Sequence, residues 1–377
     1  QHQSYMAQLL VLVLLLHISF VFVFSSVEPV CDFIAATNIE LRYSEWRCNK
    51  FGQSETDPCA PVWRGLDCSS STIVRLSLDG IFLVGTLPAN FGNWISLEYI
   101  GIESNQDLSG TIPVSIGCLQ QLTYLSLYDN FLTSSIPDTL ASISSLVSMN
   151  LDLNHLTGTI PTVLTRLSEL QFIALYENQL HGTIPTEIGC MTALTYIDFY
   201  DNHIHGTIPS SIVELSRLII FSVSYCNLEG ALPSNFGLLS AITYLHLQAN
   251  VFTGPLDFIC SMRGLEYAPF VGNKFSGPVP SCIGQLSELT YFSASRNQFS
   301  GTLPPSIGNA TKLKTLVLSE NKLVGSIPSS VGNLARLSVL DISLNFITGS
   351  IPVSLMNASM LVNLVLDGNA LTGSIPT

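Results

Sequence analysis

Charge is scarce in this sequence, and positive charge is scarcest. Only 11% of the 377 residues are charged, and 14 Lys and Arg stand against 27 Asp and Glu, which gives a formal net charge of −13. No run of basic residues offsets this balance. Because nucleic acids and anionic membrane surfaces are bound through clustered positive charge, the composition argues against both as partners.

Motifs that carry catalytic or cofactor chemistry are also missing. The sequence contains no Gly-x-Ser-x-Gly, no His-Glu-x-x-His, no phosphate-binding loop and no protein-kinase signature. It contains no Cys-x-x-Cys, and its seven His are scattered rather than set at metal-ligand spacing. We therefore predict that these residues form no enzyme and bind no cofactor and no metal.

Long apolar runs are absent except near the start of the chain. Residues 7–24 form an uncharged, mostly apolar run that is followed by small residues. This pattern is typical of a secretory signal peptide over residues 1–25, cleaved after Ser25. The run is longer than most signal cores and no Lys or Arg precedes it, so an uncleaved membrane anchor stays open as an alternative. Both interpretations place the rest of the chain in the secretory lumen or outside the cell.

One tetrad, Gly-x-apolar-Pro, recurs through most of the chain. It returns 13 times between Gly85 and Pro376, in steps of 24 residues except for one of 25 and one of 23. Two copies are imperfect, because Ser134 replaces the Gly of one and Asp257 replaces the Pro of another. Such a period indicates a solenoid of stacked turns, each of which buries its apolar face against its neighbours.

The full repeat reads L-x-x-L-x-L-x-x-N-x-L-x-G-x-I-P, as at residues 170–185. The alternation at Ile173 and Leu175 predicts a short strand with inward apolar side chains, and strands of successive turns are expected to pair in parallel. An Asn follows the strand in most repeats, where its amide is expected to bridge backbone groups that would otherwise be unpaired. Cys226 replaces this Asn in one repeat.

This repeat resembles the plant-type leucine-rich repeat over roughly residues 73–377. The resemblance implies an α/β solenoid, a leucine-rich repeat superhelix of about thirteen 24-residue turns with a parallel concave sheet. The preceding segment, with Trp46, Pro58-Cys59 and Trp63-x-Gly65-x-x-Cys68, is similar to the disulfide-bearing N-terminal cap of plant extracellular repeat proteins. We expect a cap over 26–72 and repeats over 73–377, in an array truncated at its C-terminus because no closing cap is visible.

Nine cysteines in a chain with a secretory signal favour an oxidising compartment. The similarity to the plant cap implies two disulfides, which join Cys59 to Cys68 and Cys31 to Cys48.

Besides Cys226, four other cysteines lie within the repeats. Cys260 and Cys282 hold nearly matching places in adjacent turns, so a bridge on the convex side is within reach, and whether it forms stays open. Cys118 and Cys190 hold equivalent places three repeats apart, too far for a disulfide, and are expected to be buried or half-buried.

Two glycosylation sequons follow the Pro of their repeats, at Asn309-Ala-Thr311 and Asn357-Ala-Ser359. They fall on the side away from the strands, so N-glycans there would leave the concave face free. Such triplets also arise by chance, and their occupancy stays open.

Aromatic residues recur at positions that point out of the predicted sheet. They occupy the third and seventh positions of the repeat, and carboxylates stand beside them at the fifth, seventh and eighth. The candidate partner-binding residues are Tyr99, Tyr124, Tyr128, Asp129, Asp152, Phe172, Tyr176, Glu177, Tyr196, Asp198, Tyr200 and Asp201. The aromatic column continues at Tyr244, Tyr267 and Tyr291.

Two interpretations of this surface stay open. Tyr gives a large contact area at low entropic cost and carries a hydroxyl, which suits a protein, peptide or glycan ligand, and the acids would favour a basic one. Alternatively, aromatic side chains in one column stack across neighbouring strands and stabilise the sheet without a ligand, while the carboxylates keep it soluble.

The resemblance implies a secreted or cell-surface recognition module of receptor-like type, which binds a protein, peptide or glycan on its concave face. A co-receptor would be a further partner, and a membrane span or a kinase domain after Thr377 is compatible with this hypothesis. The first alternative is a secreted inhibitor of wall-degrading enzymes such as polygalacturonases. The second is a structural or ice-binding wall protein, suggested by a short column of Thr at 111, 159, 183 and 207.

Overall fold

A computed structural model of the chain describes residues 28–39, 48, 58–59 and 63–376. The predicted signal peptide or anchor at 1–25 lies outside these residues, as does Trp46 of the cap motif. The chain forms two compact units. The first comprises the residues up to Leu170 together with Glu177–Gln179, and the second comprises Gln171–Tyr176 and Leu180–Thr377. No helix within the described ranges is long and apolar enough to span a membrane. The predicted boundary between cap and repeats stays a prediction.

The cap begins with an α-helix at Glu28–Thr37. The buried ring of Phe33 lies 5.9 Å from that of Phe91 and 6.0 Å from that of Trp94, so the helix packs on the start of the repeats. Disulfides join the pairs that the plant cap implies, Cys31–Cys48 and Cys59–Cys68, with Cα atoms 5.7 and 5.9 Å apart. An antiparallel pair of strands, Leu66–Ser69 and Thr72–Ser77, leads into the first repeat.

Each later repeat contributes one three-residue strand to a long parallel sheet. The central residue of each strand points into the core, and the residues on either side of it point to the other surface, which we call the open face. In the first unit the strands are Tyr99–Gly101, Tyr124–Ser126 and Ser148–Asn150. In the second unit they are Phe172–Ala174, Tyr196–Asp198, Ile220–Ser222, Tyr244–His246, Tyr267–Pro269, Tyr291–Ser293, Thr315–Val317, Val339–Asp341 and Asn363–Val365.

A second strand follows in each repeat and also pairs in parallel with its neighbours. In the first unit these strands are Val84–Thr86, Asn105–Thr111, Asn130–Ser135 and His155–Thr157. In the second unit they are His181–Gly182, His203–Gly206, Asn227–Ala231, Val251–Gly254, Lys274–Gly277, Gln298–Thr302, Lys322–Gly325, Phe346–Gly349 and Ala370–Leu371.

Short 3₁₀ helices follow the second strand and close the turns. In the first unit they are Phe91–Asn93, Val114–Cys118, Asp138–Ser142 and Thr162–Arg166. In the second unit they are Ile188–Cys190, Ser210–Glu214, Phe236–Leu238, Asp257–Ser261, Ser281–Gln285, Pro305–Asn309, Ser329–Asn333 and Val353–Asn357. The leucine-rich repeat fold with its parallel sheet is therefore confirmed.

The recurring Asn joins consecutive repeats, as predicted. Asn154 is a clear case, because its Nδ2 donates to the carbonyl oxygens of Leu127 and Leu151 at 2.9 and 3.2 Å. Its Oδ1 accepts the backbone N–H of Leu132 at 3.0 Å. The side chain is 4% exposed, so each of these bonds satisfies a backbone group that water does not reach.

The cysteines of the repeats differ in part from expectation. Cys260 and Cys282 form a disulfide with Cα atoms 5.4 Å apart, which closes the alternative that the sequence left open. The expectation that Cys118 and Cys190 are buried or half-buried is wrong, because both thiols are free and exposed. Each is the last residue of a 3₁₀ helix whose preceding Ile and Gly fill the interior, so its own side chain points outward.

Candidate partner-binding surface

Stacked side chains line the open face of the first unit. The strand register places Arg75, Tyr99 and Tyr124 side by side on consecutive strands. The rings of Tyr99 and Tyr124 are parallel, 1° apart in tilt, with centroids 4.3 Å apart. The guanidinium carbon of Arg75 lies 3.4 Å from the centroid of the Tyr99 ring, which continues the stack as a cation–π contact.

A glycine makes room for this stack. A Cβ added to Gly101 would lie 3.0 Å from Cε1 of Tyr99 and 3.3 Å from a carboxylate oxygen of Asp79. The Tyr124 hydroxyl donates to Glu103 at 3.5 Å. Burial, together with Tyr99 and Glu103, raises the pKa of Tyr124 to about 12, so its phenol stays a neutral hydrogen-bond donor at physiological pH.

The other candidate residues of the first unit are less uniform. Tyr128 and Asp129 are half-buried, whereas Glu177 is exposed. Asp152 is only 3% exposed, which differs from the expected contact residue. Its side chain is shorter than that of Tyr128, which occupies the same position in the preceding repeat, so it does not reach the surface.

The carboxylates at the eighth position belong to a tight turn. Asp129, Glu177 and Asp201 have φ of 55, 48 and 49°, in the left-handed region that non-glycine residues seldom adopt. Leu153 and Ala249 adopt the same conformation at equivalent positions of other repeats. The backbone turn is therefore a property of the repeat, and only the identity of the side chain distinguishes one surface from another.

Aromatic side chains also stack in the second unit. The rings of Phe172 and Tyr196 lie 4.3 Å apart, and those of Tyr267 and Tyr291 likewise lie 4.3 Å apart. At the seventh position the rings of Tyr176 and Tyr200 meet edge to face at 6.4 Å. The stacking interpretation is therefore correct in geometry, while the half-buried rings keep part of their surface on the open face.

Asp198 is a half-buried carboxylate that hydrogen bonds hold in place. Its oxygens accept the backbone N–H of Tyr200 at 3.0 Å and the hydroxyl of Tyr196 at 3.3 Å. Burial raises its pKa above the ordinary value of 3.8, and the bonds from Tyr200, Ser222 and Tyr196 oppose that shift. Asp201, by contrast, is exposed.

Sequence reasoning missed five polar or aromatic residues beside Asp198. Ser222, Ser224, His246 and Gln248 occupy the fifth and seventh positions of the next two repeats, and Tyr225 occupies an eighth position. Burial lowers the pKa of His246 below 6.5, against the opposing effect of Asp198. The repeat register alone would have placed these residues on the open face, but none is a carboxylate and only Tyr225 is aromatic.

Among the described residues, no three His, Cys, Asp or Glu side chains converge in a way that could hold a metal ion. Asn309 and Asn357 are exposed at the ends of 3₁₀ helices, a position open to a glycan. Their glycosylation stays a prediction.

Known proteins similar to this chain share its repeats. A leucine-rich repeat family model matches residues 311–371, and a second one matches 121–143, 193–215 and 288–310. Protein STRUBBELIG-RECEPTOR FAMILY 3 of Arabidopsis thaliana is 32% identical over 96 residues, which cover 26% of this chain and 12% of that protein.

Two solved structures are similar to most of this chain. The plant peptide hormone receptor RGFR1 in complex with RGF2 is 36% identical with a TM-score of 0.76, over 81% of this chain and 48% of that one. PEPR1 in complex with AtPEP1 is 31% identical with a TM-score of 0.82, over 94% of this chain and 53% of that one. The chain thus spans about half the length of these receptor structures and a smaller share of the curated relative.

Proposed function

Because this chain is a leucine-rich repeat protein similar to plant receptor ectodomains, we propose that it is an extracellular recognition module that binds a peptide ligand. The surface for that ligand is the open face of the sheet. One observation carries the proposal: partly exposed tyrosine rings, held in place by contact with one another, line this face beside carboxylates, as at Tyr176 and Tyr200. Rings that are already fixed lose little entropy on binding, which is what an anchor for a ligand requires.

The similar structures support a peptide over a glycan. RGFR1 is described as a plant peptide hormone receptor in complex with RGF2, PEPR1 is described with AtPEP1, and both exceed 30% identity to this chain. A third, the ectodomain of GASSHO1/SCHENGEN3 with CASPARIAN STRIP INTEGRITY FACTOR 2, is 26% identical with a TM-score of 0.73. The same proposal includes a receptor that is attached to a membrane, carries a kinase domain and binds a co-receptor together with its ligand.

A display library of random twelve-residue peptides tests the proposal. Peptides selected on the secreted, folded protein are titrated against the wild type and against Tyr176→Ala/Tyr200→Ala. We expect at least about 30-fold weaker binding by this variant, since the loss of even one anchor aromatic costs about 2 kcal/mol or more. The control is Phe346→Ala, which removes a side chain that is 62% exposed. Phe346 is the first residue of Phe346–Gly349, one of the second strands of the repeats, and so lies off the proposed surface. Peptides that bind both variants as well as the wild type would show that the tyrosines are not the binding surface.

A further inference from the structure

A cluster of polar side chains on the open face of the second unit, which we call the notch, includes buried atoms that make no hydrogen bond. Its floor is formed by Ser222 and Ser224, at the fifth and seventh positions of one repeat. Both point to the open face, because Phe221 and Val223 between and beside them point inward and are 0% exposed. The serines are nevertheless only 2% and 0% exposed. Short side chains on an open face are buried only where longer neighbours lean over them.

The walls of the notch come from the two adjacent repeats. Asp198 and His246 flank Ser222 on the neighbouring strands, in direct register. At about 4.8 Å between strands, the notch is one repeat wide and the wall strands stand roughly 10 Å apart. Tyr200 lies beyond Asp198, and its ring meets that of Tyr225 at 5.3 Å over the same repeat.

Three polar atoms of the notch are buried without a hydrogen-bond partner: Oγ of Ser224, Nε2 of His246 and Oε1 of Gln248. A buried polar atom that makes no hydrogen bond is unfavourable, and such atoms are few in native proteins. Three of them belong to open-face positions of two adjacent repeats. A ligand group that enters the notch and bonds to them would turn this unfavourable state into binding affinity.

The chemistry of the notch is rich in acceptors and poor in positive charge. The Asp198 carboxylate accepts hydrogen bonds from Tyr200, Tyr196 and Ser222, all of them neutral donors. Gln248 adds a carbonyl oxygen. Across the described repeats from 194 to 272, the open-face positions hold no Lys and no Arg. A cation with several donors in one plane fits this set, and tyrosine rings provide the faces on which such a plane stacks.

We propose that this notch is a subsite for a guanidinium group, the side chain of an arginine in the ligand. The inference rests on the proposed function only for the source of that arginine, since the notch itself selects the group. The guanidinium bonds to Asp198, to the oxygens of Ser224 and Gln248, and stacks on Tyr200 or Tyr225. Its entry requires Gln248 or Tyr225 to change rotamer, a small rearrangement of the kind common at binding surfaces.

The test uses a small probe, so that it does not depend on finding the natural ligand. Binding of N-acetyl-L-argininamide to the secreted, full-length protein is measured by saturation-transfer NMR, beside its neutral analogue N-acetyl-L-citrullinamide. We expect the arginine compound to bind and the citrulline compound to bind at least about tenfold more weakly, because the charged hydrogen bonds are lost. Equal binding of the two compounds would overturn the proposal.

Matched variants locate the binding. Asp198→Asn is expected to weaken argininamide binding at least about tenfold, and Gln248→Met, which keeps the length but removes the acceptor, to weaken it several-fold. The control is Asp341→Asn, since Asp341 is also a half-buried fifth-position carboxylate, bonded to Ser343 at 3.0 and 2.7 Å. If Asp341→Asn weakens binding as much as Asp198→Asn, or Asp198→Asn binds like the wild type, the notch is not the site.

The two proposals fail separately. If argininamide binds through Asp198 but the protein selects no peptides, the guanidinium subsite is supported and the peptide-recognition function is contradicted. The selected peptides could instead require Tyr176 and Tyr200, lack a basic residue and bind Asp198→Asn as well as the wild type. That result would support the peptide-recognition function and contradict the guanidinium subsite.

Discussion

At the scale of single residues, Asp198 and His246 show that burial can outweigh the mutual attraction of an acid and a base in setting their pKa values. Their strands lie on either side of the strand of Ser222, so each feels the other's charge. Burial nevertheless dominates both, raising the pKa of Asp198 and lowering that of His246. Both shifts favour the uncharged form. The attraction between the two charges opposes each shift without reversing it.

The histidine gives a prediction about pH. Its folded pKa lies below 6.5, so the unfolded chain binds more protons, and the free energy of unfolding should fall as the pH drops below about 6.5. His246→Gln should lose less stability than the wild type between pH 7.5 and pH 5.5, by denaturant titration. The raised pKa of Asp198 has the opposite effect, because the folded state binds the proton more readily than the unfolded chain. Its contribution to the free energy of unfolding therefore rises as the pH falls.

Two comparisons isolate the effect of His246. Measuring both proteins in an Asp198→Asn background removes the opposing contribution of the carboxylate. His181→Gln, at an exposed position, should follow the wild type. A pH dependence that is the same with and without His246 would contradict the burial argument.

At the scale of structural elements, the asparagine column determines how well one repeat is joined to the next. Asn202 donates to the carbonyl oxygens of Leu175 and Phe199 at 2.9 and 3.2 Å and accepts the backbone N–H of Leu180 at 2.9 Å. Cys226 replaces this residue in the following repeat. Its thiol is 3.4 Å from the carbonyl oxygen of Phe199, and sulfur is a weak donor and a weak acceptor.

Cys226→Asn should therefore stabilise the protein. The new amide would provide the acceptor and the two donors that the other repeats have, and we expect the free energy of unfolding to rise by about 1–2 kcal/mol. Denaturant titration measures this difference. Cys226→Ala, which removes the weak sulfur contacts and adds nothing, should be no more stable than the wild type. An Asn variant that is less stable than the Ala variant would mean that the site cannot accommodate the amide.

The elements also show what sequence could and could not supply. Strands, turns and the asparagine bonds repeat every 24 residues in most of the array, so one repeat predicts the next. The third- and seventh-position tyrosines followed from the same register. The notch at Ser222 and Ser224 did not, because burial of a short side chain depends on its neighbours in two other repeats. Exposure of Cys118 was missed for a similar reason, since period alone does not say which side chain fills the interior.

At the scale of the whole molecule, stability in a repeat protein is close to a sum of contributions from each repeat and its neighbours. A local cross-link should therefore act locally. The Cys260–Cys282 disulfide joins two adjacent 3₁₀ helices in the second unit, Asp257–Ser261 and Ser281–Gln285. It closes a loop with a sequence separation of 22 residues. A loop of that length contributes about 3 kcal/mol in the chain-entropy account.

Removing this disulfide tests whether stability is local. In Cys260→Ser/Cys282→Ser we expect faster amide hydrogen exchange in the strands Tyr244–His246, Tyr267–Pro269 and Tyr291–Ser293, next to the lost bridge. The strand Tyr124–Ser126 of the first unit should keep its wild-type rate. Cys118→Ser/Cys190→Ser, which changes two exposed thiols outside any bridge, should alter neither set. Equal acceleration in both units would show that the array unfolds as one cooperative body, and that a cross-link in one repeat stabilises all of them.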